Sequence, residues 1–171
     1  MNVLDIILQR RSIREFMDRE IPQEFLDALI ESIRWAPSAG NMQSRKFYFV
    51  LNKDRRKDLA KAALNQSFIA SAPLAVVACL DRRIATRYGD RGVNLYAVQD
   101  VSASIMGMML TAHAMGLGTV WVGAFNEFEV VEILDLPDHF RPISIIPVGY
   151  PARIPMPTQR IPRDQIVEYV R

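Results

Sequence analysis

Three guanidinium groups and a hydroxyl stand within five residues in Arg10-Arg11-Ser12-Ile13-Arg14, directly after Gln9. A planar guanidinium makes two parallel charge-assisted bonds to a phosphate or carboxylate, so this density of donors reads as an anion site. The competing reading is a solvated helix end, where cations are favoured by the negative end of the dipole. Spacing alone leaves both open. A second stretch, Pro37-Ser38-Ala39-Gly40-Asn41-Met42-Gln43-Ser44, is built of small and amide residues. Its Ser38, Asn41 and Gln43 suit a polar heterocycle or a sugar chain, and the same composition also makes an ordinary connector. In a third, Val120-Trp121-Val122-Gly123-Ala124-Phe125, the small residues at 123 and 124 let a flat ring approach the backbone.

Other constellations fail on geometry or chemistry. Asp100, Ser102 and His113 bring to mind a hydrolase triad. On one helix, positions 100 and 113 stand about 20 Å apart at 1.5 Å per residue, and there is no nucleophile elbow. His113 and His139 have no cysteine or carboxylate at metal-ligand spacing, so no metal is expected. There is no Walker loop, and Gly116-Leu117-Gly118-Thr119 lacks the third glycine of the dinucleotide fingerprint and follows a helix. A net charge of +2 gives no case for nucleic acid.

The 171 residues, 50% of them apolar, favour one domain with a sizeable core, spanning 1–171. Cys79 is the single cysteine and sits in the apolar run from Pro73 to Leu80, so it reads as a buried thiol in a reducing cytoplasm. Near the N-terminus Asp5, Arg10 and Arg11 break the apolar run, and no signal peptide is expected. The longest apolar stretch, Val101 to Val122, is interrupted by Ser102, Ser104, Thr111, His113 and glycines, which argues for a buried helix and a turn rather than a membrane span.

The elements that must position these residues follow from periodicity. Val3, Leu4, Ile7 and Leu8, with Asn2 as N-cap, predict a first helix ending near Ser12. A second helix starts at Ile21-Pro22, presents Phe25, Leu26, Leu29, Ile30 and Ile33 on one face, and stops at Trp35-Ala36-Pro37. Phe47–Leu51 is a strand, 54–64 a surface helix, and Leu74–Leu80 a strand buried on both faces. The polar, basic stretch from Asp81 to Gly92 is expected to be a mobile loop or short lid. A long central helix from Leu95 to Leu117 is apolar nearly all round, which marks burial on most sides, and hints at burial between two subunits. Its methionines read as core filling. Asn126 caps a short helix to Leu134, Ile143–Val148 is a strand, and the proline-rich tail from Ala152 is extended, its spaced apolar residues favouring a wrap around a partner.

Five blocks in this order resemble the FMN-dependent nitroreductase family, and its short prokaryotic members in particular: "RRSIREF" at 10–16, "APSAGNMQ" at 36–43, "LYAVQDVSASI" at 95–105, "GLGTVWVGAF" at 116–125 and "PVGYPA" at 147–152. Each is weak alone; together they span nearly the whole chain. The resemblance implies an α+β fold, an α/β sandwich with a central mixed sheet flanked by helices, in an intertwined homodimer with FMN at the subunit interface. It places the phosphate and ribityl chain on Arg10, Arg11, Ser12 and Arg14, with Arg160 from the tail; larger members carry a lysine where this chain has Thr158. It implies that Pro37, Ser38, Ala39, Asn41 and Gln43 reach the flavin from the other subunit. Asn65 would read the pyrimidine edge, and Gly123 and Ala124 would present backbone donors near N5.

The activity so implied is NAD(P)H-dependent reduction of nitroaromatics, quinones or similar acceptors by ping-pong hydride transfer through flavin N5. The chemistry is flavin-borne and no side chain is named as catalytic. Tyr88, Arg91 and Tyr96 are the acceptor-side contacts, and no membrane, metal or nucleic acid takes part. The same scaffold also serves dehalogenation and dehydrogenation, and outside catalysis an FMN-binding redox sensor or flavin carrier.

Overall fold

A computed structural model describes residues 2–171. The first helix, α1 (Val3–Gln9), opens with a reciprocal capping box. Asn2 accepts from the Asp5 amide at 2.9 Å, and Asp5 accepts from the Asn2 amide at 3.2 Å. It ends at Gln9, short of the expected Ser12, because the chain turns extended to pair elsewhere: Ser12 bridges Thr119 and the Ile13 amide donates to the Thr119 carbonyl at 2.9 Å. The apolar stripe of α1 is real but uncovered, with Val3, Leu4 and Leu8 each more than 60% exposed.

The α2 helix (Gln23–Arg34) buries Leu26, Leu29 and Ile33 as its pattern predicts, while Ile30 stays exposed and Pro22 sits at the N-cap, one step before the first helical residue. Four strands form the sheet in the order β1-β2-β4-β3: β1 (Arg45–Val50), β2 (Leu74–Asp81), β3 (Gly118–Thr119) and β4 (Phe140–Gly149). The mixed sheet expected from the family is corrected here. All three ladders are antiparallel, and among the described residues the parallel element is the isolated Ser12–Thr119 bridge.

The central strand β2 is buried on both faces, as its unbroken apolar run requires. Leu74, Val76, Ala78 and Leu80 pack with α2 and α6 (Ala97–Ala114). Ala75, Val77 and Cys79 pack on the other side with Leu59 and Ala62 of α3 (Lys53–Ala62), Ile69 of α4 (Phe68–Ser71) and Val130 of α7 (Glu127–Leu134). Each of the buried leucines, valines and the isoleucine among them contributes roughly 1.5–3 kcal/mol relative to exposure. Burial pushes the Cys79 thiol up to about 12, so it is inert. Asn126 caps α7 through its side chain, as expected.

The stretch from 81 to 92 is not a loop. It is a 3₁₀ turn (Arg82–Ile84), then α5 (Ala85–Arg91), then a π-turn (Gly92–Tyr96) that runs into α6. Its polar composition hides two anchors, Ile84 and Gly92, both buried. From Arg153 the tail is exposed throughout, with Met156, Tyr169 and Val170 more than 80% accessible. No helix is long and apolar enough to cross a membrane among the described residues.

Candidate functional site

Of the predicted phosphate residues, Arg10 carries the plainest signal. Its Nη1 is buried and has no hydrogen-bond partner among the described residues. Burial, then the positive charges of Arg160 and Arg11, hold its guanidinium below its ordinary pKa. An exposed tail residue, Arg160, therefore lies close enough to Arg10 to repel it. Arg10 itself lines a cleft of about 250 Å³ together with Arg11, His113, Gly118 and Thr119. Like charges converging without a counter-ion, one with an orphaned buried donor, mark a place shaped for an anion. Arg11 departs from expectation in part. Its Nη1 donates to the carbonyls of Leu8 (2.7 Å) and Arg10 (3.0 Å), so it caps the end of α1 while adding charge to the cleft.

Ser12 is half-buried on the bridge to Thr119. Arg14, two residues further along extended backbone, is exposed with its guanidinium 5.9 Å from the centroid of Phe68. That contact brings the arginine stretch beside the turn before α4. There Leu64 and Asn65 both adopt left-handed backbone, at φ 58° and 59°. Two successive non-glycine residues in that region are strained, and such strain clusters at binding sites. Gln66, which sequence reasoning missed, ties this turn to the next segment: its Nε2 donates to the carbonyls of Ala63 (2.9 Å) and Ala124 (3.3 Å). Gly123 and Ala124 are exposed beside it. One side of the chain thus gathers residues 10–14, 65, 118–124 and 160.

The stretch 37–43 lies at the other end of α6. Its 3₁₀ turn (Ala39–Asn41) is held by Asp100, whose Oδ1 accepts from the Ala39 amide at 2.9 Å. Ser38 Oγ accepts from the Gln43 amide at 3.0 Å. Arg45 donates to the carbonyls of Pro37 (3.1 Å), Ala36 (2.8 Å) and Arg34 (3.2 Å). Burial lowers the Arg45 pKa, and the charge of Asp100 opposes that shift. Gly40, Asn41 and Gln43 all take positive φ, so this loop is strained as well. Tyr88 lies against it at Gly40, and the predicted acceptor-side residues come together around that tyrosine. Tyr88 and Tyr96 meet edge to face at 5.3 Å, and Arg91 Nε donates to Tyr96 Oη at 2.9 Å. Asp100 was visible only as a lone acid in an apolar helix, since its partner is 61 residues away; nothing in the sequence marks Arg45.

Among the described residues no group of three or more histidine, cysteine or acidic side chains is placed to hold a metal. The nitroreductase family model matches residues 7–150. The chain belongs to the nitroreductase family. It is 33% identical to an FMN reductase [NAD(P)H] of Bacillus subtilis over 178 residues, covering 96% of this chain and 72% of that protein. The structure of Bacillus megaterium NfrA2 superposes with a TM-score of 0.90 at 31% identity, over 98% of this chain and 74% of that one. The NADPH:FMN oxidoreductase of Vibrio harveyi, solved with NAD+, superposes at 0.91 and 28% identity, over 100% and 78%. In this nitroreductase the two strained segments and the arginine cleft are therefore set on the scaffold that those oxidoreductases share.

Proposed function

We infer that this protein is an FMN-dependent NAD(P)H oxidoreductase, working as a homodimer on nitroaromatic, quinone or similar acceptors in the cytoplasm. The observation that carries the reading is the orphaned Arg10 Nη1 in a cleft of uncompensated positive charge. A phosphate fits that donor set: Arg10, Arg14 and Arg160 supply forks, Ser12 a hydroxyl, and Arg11 charge. Bound FMN supplies the two-electron chemistry between nicotinamide and acceptor. The protein's share is to bind, orient and exclude water. Gly123 and Ala124 offer small, exposed backbone to a flat ring, and Gln66 holds the Ala124 carbonyl in place. Asn65 supplies an amide for the pyrimidine edge. Tyr88, Arg91 and Tyr96 form one wall, where nicotinamide and acceptor alternate in a ping-pong cycle. The Ala39 amide is already committed to Asp100, so the 37–43 loop contributes Ser38, Asn41, Gln43 and the ring of Pro37 rather than that donor.

A length supports the dimer. Asp100 marks the loop end of α6 and His113 the arginine end; at 1.5 Å per residue they are about 20 Å apart. That separation keeps the loop of one copy away from its own arginines and favours a second copy, with α6 reversed, whose loop meets them. The open stripe of α1, the apolar tail and exposed Met106 on α6 supply surface for that contact. The experiment is direct. Purified protein should carry or take up FMN, sediment as a dimer, and lose its flavin absorbance on anaerobic addition of NADH or NADPH. Bound flavin that neither nicotinamide reduces would favour a sensor or carrier, and a monomer would remove the shared site.

A further inference from the structure

Resting on the flavin reading above, we propose that His113 is a further ligand of the cofactor's phosphate, and that it takes up a proton when the phosphate binds. His113 lines the same cleft as Arg10, Gly118 and Thr119, at the C-terminal end of α6. Its Nε2 is buried and has no partner among the described residues, the same condition as Arg10 Nη1. Two orphaned nitrogens, on residues that line one cleft of about 250 Å³, call for a ligand that draws both side chains toward it and accepts from them. An imidazole can do so in its cationic form, with both ring nitrogens as donors.

The charges around it set the sign. Burial comes first, then Arg10 and Arg11, in holding the His113 pKa below its ordinary value. In the free protein these influences disfavour the imidazolium form of His113. A phosphate dianion among these groups reverses the local field and favours the imidazolium. Binding then draws in a proton, and affinity strengthens as pH falls through the interval between the free and bound pKa values.

The phosphate itself titrates near neutrality, so a pH profile of the wild type alone would mix two groups. The test isolates His113 by comparison. Binding of FMN and of riboflavin, which lacks the phosphate, is measured by calorimetry in buffers of different ionisation enthalpy, for wild type, His113→Gln and His113→Lys. The expected result for His113→Gln is about tenfold weaker FMN binding, unchanged riboflavin binding and no proton uptake. His113→Lys should retain most of the FMN affinity, since its charge is permanent, but show no uptake. Equal losses for FMN and riboflavin, or proton uptake that persists in His113→Gln, would overturn the proposal and leave the flavin reading standing. A wild type that binds neither flavin would overturn both.

Discussion

At the C-terminal end of α6, Arg10 and His113 each leave a buried nitrogen without a partner among the described residues, and Arg11 and Arg160 add charge of the same sign. At the N-terminal end, Asp100 and Arg45 carry opposite charges, and both are used on the backbone of the 37–43 loop. The first end is left electrostatically incomplete, so a ligand must finish it. The second is largely finished by the chain itself, with one buried oxygen, Asp100 Oδ2, still free among the described residues. Affinity for a charged cofactor should therefore reside at the arginine end, and the shape that a ring or substrate meets at the loop end.

The strongest way to break this comparison is Arg10→Ala together with Arg14→Ala. Each lost charge-assisted contact costs about 1.5–3 kcal/mol, so FMN binding should weaken by roughly 100-fold or more. Neither side chain belongs to the two buried clusters, so the fold should persist. Quenching of flavin fluorescence measures the affinity; an unchanged value would strip the arginine end of its role. At the other end, Asp100→Ala removes the acceptor for the Ala39 amide and the opposite charge beside Arg45. The expected cost is about 1–3 kcal/mol of stability, read from thermal or denaturant unfolding, with a smaller loss of FMN affinity than the arginine pair shows. Asp100→Asn keeps an acceptor oxygen and should recover part of that stability.

Much of this scaffold is legible in the sequence where local pattern and burial agree. The unbroken apolar run of β2, the one-faced pattern of α2 and the side-chain caps Asn2 and Asn126 all appear where periodicity and capping chemistry put them. What the sequence hides is settled by distant partners. The first helix stops at Gln9 because residues 12 and 13 pair with Thr119, more than 100 residues later. The helical segment from 82 to 96 rests on Ile84 and Gly92, too few apolar residues to stand out against its arginines. Recognisable blocks indicated the arginine cleft, but not that Arg11 would turn back onto α1, nor that Gln66 rather than a nearer residue would brace Ala124. Asp100 and His113, two of the three residues dismissed as a triad, instead mark the two ends of α6.

A finer test of the loop end is Gly40→Ala. Gly40 has φ +53°, and an added Cβ would fall 2.3 Å from Tyr88 Oη and 3.3 Å from the Arg87 guanidinium. Left-handed backbone costs an alanine about 1 kcal/mol, and Tyr88 must swing away from Tyr96 to relieve the clash. Steady-state kinetics should show KM for nicotinamide or acceptor rising severalfold while FMN affinity holds. A fall in FMN affinity with KM unchanged would reverse the division of labour between the ends.

The smallest expected effect tests whether the arginine end acts by position or by charge in general. Glu127, at the start of α7, is bound by Arg141 through two contacts of 2.8 and 2.7 Å, and neither residue lines the arginine cleft. Hydrogen bonding from Arg141 is the largest influence holding the Glu127 carboxyl below its ordinary pKa, with partial burial working against it. Because the folded value is depressed, the pair's stabilisation is present above the unfolded carboxylate range and is lost as pH falls through the folded value. Both side chains are about 40% exposed, so solvent screening holds the contribution below about 1 kcal/mol. Glu127→Gln should therefore lower stability slightly at pH 7, and the difference from wild type should vanish in acid, as followed by denaturant titrations at several pH values. The substitution also raises the net charge by one, as removing any acid would. If FMN bound tighter in that variant by a factor matching the loss from Arg10→Ala, overall charge would explain the affinity and the orphaned nitrogens at the end of α6 would not. An unchanged FMN affinity leaves the effect with those residues.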